Sequence, residues 1–115
     1  MTKIKLEYLN KISGGDMDFI SEMLKTYIEE TDKELVFLKE AFKQKNRERV
    51  YFWAHKLKTS FHMLGMEELT AKTAQLELKS KSEEDNMDVT DESFLFIVEN
   101  AENSIIQAQK LIEDL

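Results

Sequence analysis

Apolar residues recur along this chain at three- and four-residue steps, in one short run and four long ones. The short run is Ile4, Leu6, Leu9 and Ile12. It predicts a helix from about Ile4 to Lys11, which Ser13-Gly14-Gly15 breaks. Asp16 then suits an N-cap, because its carboxylate can accept from the free N–H groups of a first helical turn. The second run, Ile20, Leu24, Tyr27, Thr31, Leu35, Leu38 and Phe42, stays in phase from Asp16 to Lys45 and predicts one long helix. Asn46 can cap a third, from about Arg47 to Leu64, whose core stripe is Val50, Ala54, Leu57, Phe61 and Leu64. Gly65 suits the left-handed position just past its end. A fourth helix, from about Met66 to Ser80, turns Leu69, Thr73 and Leu76 inward, with Glu77 at the stripe's edge. Lys81 to Val89 is polar and acidic and is expected to be a loop. Thr90 or Asp91 caps a last helix with the stripe Phe94, Val98, Ala101, Ile105, Ala108, Ile112 and Leu115. The fold class that follows is all-α: an up-down antiparallel four-helix bundle with a short additional N-terminal helix.

Composition agrees and narrows the function. There is no proline among 115 residues and glycine occurs three times, too few turn formers for a sheet protein. Hydrophobic residues are 42%, enough for one core, and no repeat or linker suggests a second domain. There is no cysteine, which excludes disulfides and thiolate metal sites. The net charge of −7 argues against nucleic acid and anionic membrane, both of which need clustered Lys and Arg. No stretch reaches the roughly 20 apolar residues of a membrane span, and the N-terminus lacks an apolar signal run. A cytoplasmic domain is expected.

The candidate chemistry lies in Ala54 to Gly65. Tyr51, His55, Lys58, Thr59 and His62 fall on a different side of the third helix from its core stripe, so the imidazole of His55 is expected to be at least partly exposed. A neutral imidazole is a competent nucleophile near neutral pH. Lys58, at i+3, can reach the same surface and attract an anion such as a phosphoryl group. Tyr51, Phe52, Met63 and Met66 are expected to place apolar surface around His55, and Thr59 and His62 to join them in contacting a partner. Phe19 and Met23 are weaker candidates for the same surface. Trp53, beside the core stripe, is expected to be structural.

His55-Lys56-Leu57-Lys58-Thr59-Ser60, followed by Leu64-Gly65, resembles the signature of histidine-containing phosphotransfer (HPt) domains, the four-helix modules of phosphorelays. The family pattern is a histidine, any residue, an aliphatic residue, lysine, glycine and a small residue, with a further glycine ten residues after the histidine. His55, Leu57, Lys58, Ser60 and Gly65 match it; Thr59 departs, standing where the family favours glycine. The layout ahead of the motif and the Leu76-Glu77 pair after it are also similar, so the resemblance covers nearly the whole chain. It implies a single HPt domain over residues 1–115. His55 would be the phosphoacceptor on Nε2, Lys58 would offset the phosphoryl charge, and Glu77 would bond the other ring nitrogen. It further implies response-regulator receiver domains, and a hybrid histidine kinase, as partners. Mg²⁺ would be brought by the receiver rather than bound here. With no phosphate-binding glycine loop, the chain is expected to carry phosphoryl groups without kinase activity of its own. The starting methionine and the complete constellation lead to the expectation of a free-standing monomer.

Other readings compete with this one. Glu77 could instead pair with Lys72, Lys79 or Lys81. A di-iron bundle needs Glu-x-x-His pairs, but Phe52 and Thr59 stand three before His55 and His62, so no metal site is expected. Thr59 is the one feature leaning toward a bundle that binds a receiver without efficient transfer.

Overall fold

The computed structural model describes residues 2–115. It has five helices: α1 (Glu7–Ser13), α2 (Met17–Lys43), α3 (Arg47–Met63), α4 (Glu67–Lys81) and α5 (Glu92–Asp114). Helix α2 packs against α3 and α5, α4 packs against the same two, and α1 rests on α2. The four long helices thus close an up-down ring around one core, formed by the stripes read above. All seven positions of the α2 stripe and all five of the α3 stripe are buried, as are Leu69, Thr73 and Leu76 of α4. Caps set the starts: Asp16 accepts from the N–H groups of Asp18 and Phe19, Asn46 from Arg49, and Asp91 from Phe94. Helix α2 runs unbroken through Glu29–Asp32.

The structure corrects the sequence reading in three places. First, α1 begins at Glu7, and Ile12 is half exposed, so the short apolar run is not one helical face. Residues 2–6, ahead of it, form a strap. The Thr2 N–H donates to Asn100 Oδ1 (3.1 Å), Ile4 N–H to Gln107 Oε1 (3.0 Å) and Lys5 N–H to the Leu64 carbonyl (2.8 Å). These bonds hold the segment in a non-helical path across α5 and the turn after α3. Second, the buried line of α5 is Phe94, Ile97, Ala101, Ser104 and Ala108, while Leu115 is exposed and Val98, Ile105 and Ile112 sit on the shoulder. Asn100 and Ser104 can be buried because each is bonded: Asn100 holds Thr2, and Ser104 shares a 2.6 Å hydrogen bond with Tyr27. Third, the connection after α4 is anchored rather than merely polar. Met87 within it is buried, and Arg47 at the start of α3 donates to the carbonyls of Ser82 (2.6 Å) and Asp85.

The turn from α3 to α4 matters most for the site. Gly65 has φ +67°, and a Cβ there would lie 2.8 Å from Lys5 Cβ and 3.0 Å from the Lys5 carbonyl oxygen. Two separate constraints, left-handed backbone and close approach of the strap, therefore exclude a side chain. Gly14 has a similar φ of +64° but open space around it. Gly65→Ala is expected to cost more stability than Gly14→Ala, which should lose only the roughly 1–2 kcal/mol of a left-handed non-glycine residue. Urea unfolding of the two variants measures the difference; equal costs would show that the strap does not press on the turn.

Candidate functional site

The site is built where α3 faces α4. Leu57 and Phe61, fully buried, fix the rotation of α3, and that rotation leaves His55 on the outside with its side chain 56% exposed. On α4, Leu76 is buried and Glu77, next to it, is 7% exposed. The Glu77 carboxylate reaches across to α3 with both oxygens. Oε2 lies 3.2 Å from His55 Nδ1, and Oε1 lies 2.7 Å from the Lys58 ammonium, in charge contact but off the line of a well-directed hydrogen bond. A carboxylate buried to this degree is costly unless its charge is met, and here two groups meet it. The competing lysines are engaged elsewhere. Lys79 pairs with Asp91 at 2.6 Å, Lys81 lies over the Tyr51 ring at 4.4 Å, and Lys72 lies over Phe96 at 5.7 Å.

The contact at Nδ1 has a chemical consequence. An acceptor at 3.2 Å favours the tautomer that carries its proton on Nδ1, which leaves the lone pair on Nε2. Tyr51, one turn before His55, stacks on the imidazole with ring centroids 5.9 Å apart and planes at 19°. The ring is therefore held by Glu77 at one nitrogen and by Tyr51 against its face, and among the described residues no hydrogen bond engages Nε2.

A groove of about 370 Å³ runs beside His55 between α2 and α3. Thr59, Ser60 and Met63 line it from α3, and Met23 from α2. Its floor includes Tyr27, whose hydroxyl burial pushes up to about 12, so that it stays protonated. The expected partner-facing residues divide on inspection. Phe52 is exposed, packs edge-on against Trp53 at 4.8 Å, and stands clear of the core. Thr59 and His62 are exposed and Met63 is half-buried. Phe19 is exposed but lies outside the groove that Met23 lines. Met66 corrects the reading: it is fully buried, because it follows the Gly65 turn and drops back into the core, and it offers no surface to a partner. Tyr51 is half-buried and occupied by His55 and Lys81. The Thr59 hydroxyl donates to the His55 carbonyl at 3.2 Å, a back-bond within the helix.

Sequence reasoning missed the α2 wall of the groove, above all Glu30 and Glu34. A signal existed for Glu34: it stands seven residues after Tyr27 and seven before Ala41, in phase with the buried stripe. Among the described residues, no three His, Cys, Asp or Glu side chains converge where they could hold a metal ion, and no helix is long and apolar enough to cross a membrane.

No curated protein and no solved structure gives a significant match to the chain. A family model does: the one described as Hpt domain matches residues 22–115, from early in α2 to the end of α5, and so takes in the histidine, the lysine, the groove and the carboxylate behind them. The chain therefore belongs to the Hpt domain family, the helical phosphotransfer modules of two-component signalling.

Proposed function

We propose that this chain is a phosphoryl carrier in a two-component phosphorelay, with His55 as the acceptor. The observation that carries the reading is the Glu77 contact: a buried carboxylate on Nδ1 of an exposed histidine, with a lysine ammonium on its other oxygen. In the proposed step the Nε2 lone pair attacks the phosphorus of a receiver domain's aspartyl phosphate. The N–P bond forms as the P–O bond to the aspartate breaks, and the aspartate leaves as a carboxylate. The proton on Nδ1 stays there, against Glu77, which offsets the positive charge the ring gains. The reverse reaction hands the group to another receiver aspartate.

Lys58 would turn part of its charge from Glu77 to the phosphoryl oxygens. Its ammonium and the His55 ring already contact the same carboxylate, which supports that role. Mg²⁺ on the receiver's own acidic residues would supply the remaining charge neutralisation. Transfer of this kind depends on positioning and electrostatics, which a rigid helical bundle provides, rather than on further covalent chemistry. The chain would have no kinase activity of its own, would act as a cytoplasmic monomer, and would take receiver domains, including that of a hybrid kinase, as partners.

Three measurements test this reading. Mixing the protein with a phosphorylated receiver domain and Mg²⁺ should add one acid-labile phosphoryl group by intact mass, absent in His55→Gln; a group that persists in that variant would move the site, with His62 next in line. Glu77→Ala should lower the transfer rate by about a hundredfold, as expected for loss of positioning, and should abolish the Nδ1–H preference seen by ¹⁵N NMR of the imidazole. A preserved tautomer in that variant would remove Glu77 from the mechanism. Thr59→Gly should leave the rate within about threefold, because the hydroxyl is turned onto its own helix. A large gain would favour the reading in which threonine makes this a binding module with poor transfer.

A further inference from the structure

Glu34 is used by nothing so far described. It is 6% exposed, yet it lines the groove beside His55. Among the described residues no hydrogen bond or ion pair engages its carboxylate. Burial pushes its carboxyl up from the ordinary glutamate range, the neighbouring Glu30 adds to that, and Lys56 opposes it from a distance. Lys56 does not close on it: its ammonium lies over the rings of Phe52 and Trp53, at 5.9 and 5.6 Å. The Glu34 residue is nine-tenths buried, has no hydrogen-bond or ion-pair partner among the described residues, and opens into a mostly apolar groove that Glu30 and Lys56 also line, so only water in the groove meets its charge, which is unfavourable. Glutamine or leucine would fill the same place at less cost, so the carboxylate points to a ligand that is cationic and reaches into the groove along apolar side chains.

We propose that Glu34 receives a basic side chain, a lysine or arginine that the docking receiver domain inserts among apolar neighbours into the groove beside His55. The inference rests on the carrier reading only for the identity of the partner. A long side chain suits the site, because its methylenes can lie along Met23, Tyr27 and Met63 while its charge reaches the acid. Receivers that present an acidic or short polar residue there would leave Glu34 buried and unpaired, so the pair selects partners by penalty as well as by attraction.

Two measurements test it. On the chain alone, thermal unfolding is followed against pH for wild type, Glu34→Gln and Lys56→Gln. The groups facing Glu34 are Tyr27 and Glu30 on α2 and His55 and Lys56 on α3. A carboxyl whose folded value is raised costs stability above its ordinary value of 4.5 and costs nothing below it. Glu34→Gln should therefore unfold at a higher temperature than wild type at pH 7, and the gain should vanish below pH 4.5. A lower midpoint for both Glu34→Gln and Lys56→Gln would mean that the two residues pair internally, and would overturn the proposal.

In the second arm, receiver domains are titrated against the protein and Trp53 fluorescence is followed. Glu34→Gln should weaken Kd by about tenfold or more, as for loss of one member of a desolvated charge pair. Replacing a lysine or arginine on the receiver's docking face should cost the same, and the double variant should lose no more than either single one. A Kd unchanged by Glu34→Gln, or fully additive losses, would overturn the proposal. Glu34-dependent binding without phosphoryl transfer would sink the carrier reading and leave this one standing. Transfer with Glu34-independent binding would do the reverse, and no binding by any receiver would end both.

Discussion

Everything at this site depends on one buried negative charge. Glu77 sits at the packed interface of α3 and α4, where an unmet carboxylate would cost several kcal/mol. His55 and Lys58 meet it, one on each oxygen. The arrangement sets the position of α4 along α3, because a shift of one turn would carry the carboxylate about 5 Å from both partners. In the proposed carrier role it would also set the chemistry, because a carboxylate on Nδ1 leaves Nε2 as the nitrogen with the free lone pair. The same three side chains would then serve both stability and reactivity. An anion arriving at Nε2 would compete with Glu77 for Lys58, so the resting site and the occupied site differ in how one cation is shared.

Around that charge, particular polar bonds fix how the helices of the apolar core are joined. Tyr27 and Ser104 join α2 to α5, Arg47 gathers the carbonyls after α4, and Lys79 pairs with Asp91 across the same connection. Each of these groups would be costly to bury alone and is paired. The result is a frame in which α3 is fixed at both ends: by Arg47 at its start and by the strap against the Leu64–Gly65 turn at its finish. Between those fixed points lies the exposed histidine.

The sequence was most legible where burial is purely apolar. The apolar stripes of α2 and α3 have the period of a helix, so their apolar positions could be read residue by residue. Glu77 was legible as the edge of a stripe, though not that it would engage His55 and Lys58 together. The reading failed where buried positions are polar. In α5, hydrophobicity favoured Val98 and Ile105, while hydrogen bonding put Asn100 and Ser104 inside. Glu34 was passed over for the same reason, as an acid on an apolar face. Met66 was misplaced because helical periodicity does not continue through a left-handed glycine. The strap was invisible, since its bonds join residues some sixty and a hundred positions apart, and nothing local announces them.

The strap has a consequence for the order in which this chain assembles. Its partners are the carbonyl of Leu64, at the turn between α3 and α4, and the side chains of Asn100 and Gln107 on α5. These three groups come together only once the ring of helices has closed. Until then each bond would have to close a loop of about sixty or a hundred residues for one hydrogen bond, which chain entropy opposes. The strap residues are therefore expected to settle after the helices have packed. They seal a structure that already exists, and their seating at Gly65 marks the moment when the helix bearing His55 has found its place.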